Sequence, residues 1–199
     1  MPDDVLLPFP EAVVPVRHMR STLILTSLHS LRDAGYFDRY AEALPLEHHG
    51  AVLNAVAGVW IDVAHAAAHY TACDTLGLSS ERQMELGRET FARTKGAIYG
   101  TGVQLAQTAG VTPWTVLPHF QRFWLRGLDG GGVQVVKLGP KEADISVRDC
   151  SLVRIAYFRN AMRGIVTGML ALFCRQAYLR ELAFGRAARD LVCLRAQWA

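Results

Sequence analysis

The hydrophobic pattern of the chain changes at a glycine-rich turn over residues 129–132, and this change divides the sequence into two parts. Before the turn, apolar residues recur every three or four positions, which is typical of amphipathic helices. After the turn, Ile145 and Val147 alternate with polar neighbours, which is typical of strands. The pattern predicts an α+β fold in which a helical N-terminal half packs against an antiparallel ββαββ C-terminal half.

The same periodicities place the individual elements. In the first part we predict helices over 16–31, 46–57, 60–76, 79–95, 96–109 and 112–124. In the second part, we predict two hairpins of one antiparallel sheet over 133–148 and 177–198, with a helix over 152–173 across the sheet. We treat residues 1–199 as a single domain with an N-terminal arm (1–15), a helical part (16–128) and a ββαββ part (129–199).

Composition narrows the class of protein. Hydrophobic residues make up 51% of the chain, which is enough for a substantial core. The 21 basic and 18 acidic residues are too balanced to indicate nucleic-acid binding. The longest apolar run, 164–174, is about half the roughly 20 residues of a membrane-spanning helix. The four cysteines are widely separated, and the acidic start does not resemble a secretory signal, so we expect a cytoplasmic protein with reduced thiols.

One stripe of polar residues is the main candidate site. Asp62, His65, His69 and Cys73 fall within an arc of about 80° on the predicted 60–76 helix. Trp60 and several alanines lie on the opposite face, which we expect to be the packed one. The stripe then faces solvent or a neighbouring helix, lines a small-molecule pocket, or chelates a metal through its histidines. Because no second cluster of ligands is evident, we expect no metal and no cofactor.

Other candidates lie near aromatic residues. Tyr70 follows His69 on the same helix, His119 lies among aromatic residues, and Trp124 stands just before the glycine-rich turn. We expect His119 to be half-buried in the core or to line a pocket. Met162 and Met169 keep helical spacing and are predicted to belong to the core. No nucleophile elbow or phosphate-binding loop occurs, so the catalytic residues, if any, are unknown.

Several short motifs occur in an order that resembles a known family. They are Leu44-Pro45 before a helix leading to Trp60, Leu86-Gly87-Arg88, Trp124, and Cys193-x-Arg195 with Trp198. In that order they resemble a paralogous family of myxobacterial proteins of unknown function over about residues 17–198. More remotely, a helical half followed by ββαββ is similar to vinyl-reductase-type small-molecule-binding domains and to heme-based nitric-oxide-binding domains. That resemblance implies a ligand held between helices and sheet. None of the six tyrosines begins the Tyr-x-Ser-x-Arg signature of the heme-binding domains, which argues against heme.

The leading hypothesis is a non-catalytic regulatory or sensory domain that binds a hydrophobic small molecule in an apolar pocket. Its polar contacts would come from His65, His69, Tyr70 or His119. One alternative is an enzyme acting on a hydrophobic small molecule, with a histidine as general acid or base. Another is a structural protein that forms a homodimer through its edge strands. If the stripe is a site, substitution of Trp60 will destabilise the fold more than substitution of His65 or His69.

Overall fold

The computed structural model describes residues 4–99, 111–183 and 190–199. It has eight α-helices within those residues: α1 Ser21–Asp33, α2 Phe37–Ala43, α3 Leu46–Leu53, α4 Val63–Asp74, α5 Ser80–Tyr99, α6 Pro113–Val116, α7 Phe120–Gly127 and α8 Ala156–Leu170. Short 3-10 helices cover Leu117–His119 and Ser151–Arg154. The strands are β1 Val5–Leu7, β2 His18–Arg20, β3 Trp60–Asp62, β4 Leu128–Asp129, β5 Gly132–Gly139, β6 Glu142–Arg148, β7 Ala177–Glu181 and β8 Val192–Trp198. The predicted α+β class is confirmed.

The main sheet has five antiparallel strands in the order β1-β5-β6-β8-β7. Both predicted hairpins belong to it: β5 pairs with β6 through Val135 opposite Ile145, and β7 pairs with β8. Ile145 also lies opposite Leu194, so β6 joins the two hairpins at the centre of the sheet. The predicted turn near residue 185 lies outside the described residues, as does most of the predicted helix over 96–109.

The N-terminal arm contains a strand that the sequence pattern did not indicate. Val5 lies opposite Val136, which places β1 at the edge of the main sheet beside β5. A second, three-stranded sheet follows the arm in the order β3-β2-β4. Met19 is its centre, opposite Ile61 on one side and Leu128 on the other. Because residues 18–20 pair with a strand on each side, the first helix begins only at Ser21. The prediction that this helix begins at residue 16 was wrong.

Other helices also differ from the prediction, and the helix Phe37–Ala43 was not predicted at all. The predicted 46–57 helix corresponds to α3, which ends at Leu53. The predicted 112–124 helix is divided by a 3-10 turn at Pro118, a residue whose nitrogen carries no hydrogen to donate. The predicted 152–173 helix begins with a 3-10 turn, and its α-helical part ends at Leu170.

Helices α5 and α8 cross at a very short distance. A β-carbon on Gly87 would overlap the backbone of Ala161, and one on Gly164 would overlap the backbone of Met84. Asn160 Nδ2 donates a 2.7 Å hydrogen bond to Gln83 Oε1 at the same crossing. Helix α8 also packs against strand β7 of the main sheet.

No helix in the described part of the chain is long and apolar enough to cross a membrane.

Candidate functional site

A cavity of about 100 Å³ lies between α8, the main sheet and the helices of the N-terminal half. Six of its lining residues come from α8: Phe158, Ala161, Met162, Ile165, Val166 and Met169. Four come from the sheet: Val133, Ile145, Val147 and Leu194. The remainder are Met19, Leu23, Tyr70, Phe120, Phe123, Trp124, Gly127 and Leu128. Among these residues the side chains are apolar apart from two ring groups, the hydroxyl of Tyr70 and the indole N–H of Trp124.

The indole of Trp124 is fixed to the glycine-rich turn. Its Nε1 donates a 2.8 Å hydrogen bond to the carbonyl oxygen of Gly130. Gly130 has a φ of 102° and approaches the backbone of Pro15 so closely that a β-carbon there would overlap it. Only glycine tolerates that combination of a positive φ and close approach. The glycine-rich turn therefore holds the cavity wall in place, and the indole N–H already has its acceptor.

Tyr70 reaches the cavity from α4 and is held by aromatic neighbours. Its ring packs edge-on against His69 and Phe158, with centroids 4.8 Å and 5.0 Å away. Its hydroxyl donates to the thioether sulfur of Met19 over 3.7 Å. Burial raises the pKa of Tyr70 well above its usual value, so the hydroxyl keeps its proton.

Behind Tyr70, away from the cavity lining, is a cluster of buried polar groups. His69 is fully buried, and its Nδ1 lies 2.7 Å from Tyr40 Oη while its Nε2 lies 3.1 Å from Ser27 Oγ. Cys73 Sγ lies 3.8 Å from the same Nε2. Burial lowers the pKa of His69 to about 3 and raises the pKa of Cys73 well above its usual range. The imidazole is neutral and the thiol is protonated, so neither is poised as an exposed nucleophile or base.

The predicted polar stripe is divided between different environments. Asp62 is exposed and caps α4 by accepting a 2.7 Å hydrogen bond from the amide of Ala64. His65 is half-buried, with its Nδ1 2.9 Å from His48 Nδ1. His69 and Cys73 are fully buried. The expectation that this stripe lies opposite the packed face was wrong for its second half.

The prediction that Trp60 lies on the packed face of a helix was also wrong. Trp60 lies in β3, is 39% exposed, and its ring is covered by the guanidinium of Arg20 at 4.0 Å. The helix begins only at Val63, because residues 60–62 pair with β2. Trp60 therefore does not mark the packed face of α4. The side that carries His69, Tyr70 and Cys73 is buried, and Ala64 is exposed.

Of the remaining candidates, His119 is exposed and does not line the cavity, so the expectation that it is half-buried was wrong. Tyr70 and Trp124 both line the cavity, and their part in binding stays a prediction. The sequence analysis did not identify Met19, whose strand was expected to be helix. It also omitted Met162 and Met169, because helical spacing alone does not separate residues that fill a core from residues that line a cavity in it.

The chain matches no family model and no curated protein. The resemblance to the myxobacterial family is therefore not supported. Solved structures of H-NOX (heme nitric oxide/oxygen binding) domains do share its fold. A mutant of the T. Tengcongensis H-NOX domain gives a TM-score of 0.62 at 16% identity, covering 90% of this chain and 97% of that one. An oxygen-binding H-NOX domain related to soluble guanylate cyclases gives 0.60 at 15%, covering 90% and 95%. Identities this low establish an H-NOX-like fold and nothing more.

Heme does not fit the residues of this cavity. Among the described residues, its walls contain no histidine or cysteine to ligate iron, and no arginine or lysine to pair with propionates. The side chains left undescribed, at 1–3, 95–110 and 184–189, include neither histidine nor cysteine. The volume of about 100 Å³ is also well below the roughly 300–1,000 Å³ of pockets for drug-sized ligands. A porphyrin is larger than such ligands, so the described part of the chain shares the fold without a cavity that would hold heme.

Proposed function

We propose that the protein is a small-molecule-binding domain, regulatory or sensory in kind, that holds a compact apolar ligand between α8 and the sheet without heme. The observation that carries the proposal is the cavity itself, whose described walls are apolar apart from Tyr70 and Trp124. A preformed apolar cavity with a few polar groups is the usual form of a ligand site. The similarity of fold to solved H-NOX domains, which bind heme and oxygen, supports a small-molecule-binding role but supplies no ligand identity.

The size of the cavity indicates the size of the ligand. A cavity of about 150 Å³ lined by apolar side chains is known to take up benzene or xenon. At about 100 Å³ this cavity is somewhat smaller, and its lining includes the methionines Met19, Met162 and Met169. Methionine side chains adapt readily to a guest because they are unbranched. We therefore expect ligands of about the size of benzene.

The alternative hypotheses have less support. None of the described lining residues is a histidine, so a histidine general acid or base has no direct access to a ligand in this cavity. Chemistry by a histidine elsewhere in the chain would need a second site. Homodimer formation through edge strands β1 and β7 stays a prediction, and it does not account for the cavity.

The proposal is tested by benzene binding, measured as the rise in melting temperature with increasing benzene concentration. Val166→Phe places a ring in the cavity and should abolish the rise. Val56→Phe makes the same change at a position that is 69% exposed and should leave the rise unchanged. If Val166→Phe does not fold, Val147→Ile fills less of the same cavity and should weaken the response. A rise that is equal in wild type and in both filling variants would overturn the proposal.

A further inference from the structure

Of the polar side-chain groups in the described cavity lining, the hydroxyl of Tyr70 has the weakest hydrogen-bond acceptor. Of the two lining side chains with an O–H or N–H group, Trp124 donates to a carbonyl oxygen at 2.8 Å. Tyr70 instead donates to the sulfur of Met19 at 3.7 Å. A thioether is a weak acceptor, and a buried hydroxyl without a good acceptor is unfavourable. The cavity therefore contains one donor that a ligand would satisfy better than the protein does.

A second buried tyrosine, Tyr40, has a stronger hydrogen-bond partner than Tyr70 has. Tyr40, which is also buried, lies 2.7 Å from an imidazole nitrogen of His69. Tyr70 is 5% exposed and lines the cavity, where its hydrogen-bond partner is another lining residue. Its ring is confined by His69 and Phe158, so the hydroxyl has little freedom to reach a different acceptor.

The charge of the lining restricts the ligand further. Within the part of the chain that the structure describes, no aspartate, glutamate, lysine, arginine or histidine contributes to the wall of this cavity. A charged ligand would lose its hydration without gaining a partner of opposite charge. The Tyr70 hydroxyl keeps its proton and has only a thioether sulfur as its acceptor, so a ligand group that accepts a hydrogen bond gains most from it.

Resting on the function proposed above, we propose that the ligand is a neutral, mostly apolar molecule of about the size of benzene that carries one hydrogen-bond acceptor. The Tyr70 hydroxyl donates to that acceptor, and the apolar walls enclose the rest. Small carbonyl compounds, ethers and nitrogen heteroaromatics have this chemistry. The Tyr70 hydroxyl then determines specificity, and the volume and apolar walls determine general affinity.

Benzene and pyridine test this assignment because they have nearly the same shape and differ by one acceptor nitrogen. The dissociation constants of both are measured in mildly alkaline buffer, where pyridine is neutral. We expect Tyr70→Phe to weaken pyridine relative to benzene by about tenfold or more, the typical effect of losing a buried hydrogen bond. Met19→Leu removes the competing sulfur and keeps the hydroxyl, so it should retain the wild-type ratio or favour pyridine further. Tyr178→Phe removes an exposed hydroxyl and should have no effect.

The outcomes separate this inference from the proposed function. If benzene binds and the ratio of the two constants is the same in wild type and Tyr70→Phe, the role of Tyr70 is overturned and the apolar site stands. If neither probe binds the wild-type protein, the proposed function fails and the inference fails with it. A ratio that changes in Tyr178→Phe as much as in Tyr70→Phe would also overturn the assignment.

Discussion

Tyr40 Oη and His69 Nδ1 lie 2.7 Å apart in the interior, joining α2 to α4. Burial keeps the tyrosine protonated and the imidazole neutral, and the other ring nitrogen, Nε2, faces Ser27 Oγ at 3.1 Å, so both nitrogens have a hydroxyl partner in either tautomer. All three polar side chains are then satisfied without contact with water. This cluster lies directly behind Tyr70 and fixes the helix that carries it toward the cavity.

Tyr40→Phe should therefore destabilise the fold. The change removes one hydroxyl and leaves a buried imidazole nitrogen without its hydrogen-bond partner, which costs about 1–3 kcal/mol. Urea unfolding of the variant and of Tyr178→Phe provides the comparison, because Tyr178 is 55% exposed. The control should stay within about 0.5 kcal/mol of wild type. Equal stabilities for the two variants would contradict the role given to the Tyr40–His69 contact.

Stability should fall in acid because of His69. Its pKa is about 3 in the folded protein, against about 6.5 for an unperturbed histidine. Between these values the unfolded chain binds a proton that the folded chain does not, so the free energy of unfolding falls as the pH is lowered through about 6.5. The contribution is at most about 1.4 kcal/mol per pH unit and ends near the folded pKa.

His69→Asn removes this titration while the other six histidines remain. Urea unfolding of both proteins over a series of pH values should give a slope for wild type that exceeds that of the variant by up to one proton's contribution. Parallel pH profiles for the two proteins would show that His69 titrates normally and is not buried as described.

The α5–α8 crossing should not tolerate alanine. Gly87→Ala or Gly164→Ala forces the two helices apart, and overpacking of this kind costs about 1–3 kcal/mol or more. Gly50→Ala is the matched control, because Gly50 lies in α3 with no atom within 4 Å of the added carbon. Alanine favours helix over glycine by about 1 kcal/mol, so the control should be neutral or stabilising. Equal melting temperatures for the three variants would contradict the close approach of α5 and α8.

Heme should not load into this protein. Expression with a heme precursor, followed by purification and absorption spectroscopy, should give no stoichiometric heme band, because the described lining contains no histidine or cysteine ligand. An H-NOX domain of the kind studied for heme distortion, expressed in parallel, controls for heme supply. One heme per chain with a ligand-sensitive spectrum would show that the cavity opens beyond the volume described.

The sequence predicted the main sheet well because period-2 alternation flanks a long period-3.6 segment. It could not place β2 and β3, since strands of three residues such as His18–Arg20 and Trp60–Asp62 are too short to show a period. Trp60 was therefore assigned to the α4 helix, and its side of that helix was expected to be the packed one. The opposite side, with His69 and Cys73, is the one that is buried. Tyr70 and Trp124 were singled out for their places beside His69 and before the glycine-rich turn, and both line the cavity. The cavity itself depends on long-range packing that no local pattern shows.

Methyl NMR of protein labelled at its five methionines and titrated with benzene tests whether a ligand binds between α8 and the sheet. Met19, Met162 and Met169 line the cavity, whereas Met84 lies outside it on α5. If benzene occupies the cavity, the methyl signals of the three lining methionines should shift together and saturate, and the Met84 signal should stay in place. Shifts confined to Met84, or no saturable shift at any of the three, would contradict a ligand site between α8 and the sheet.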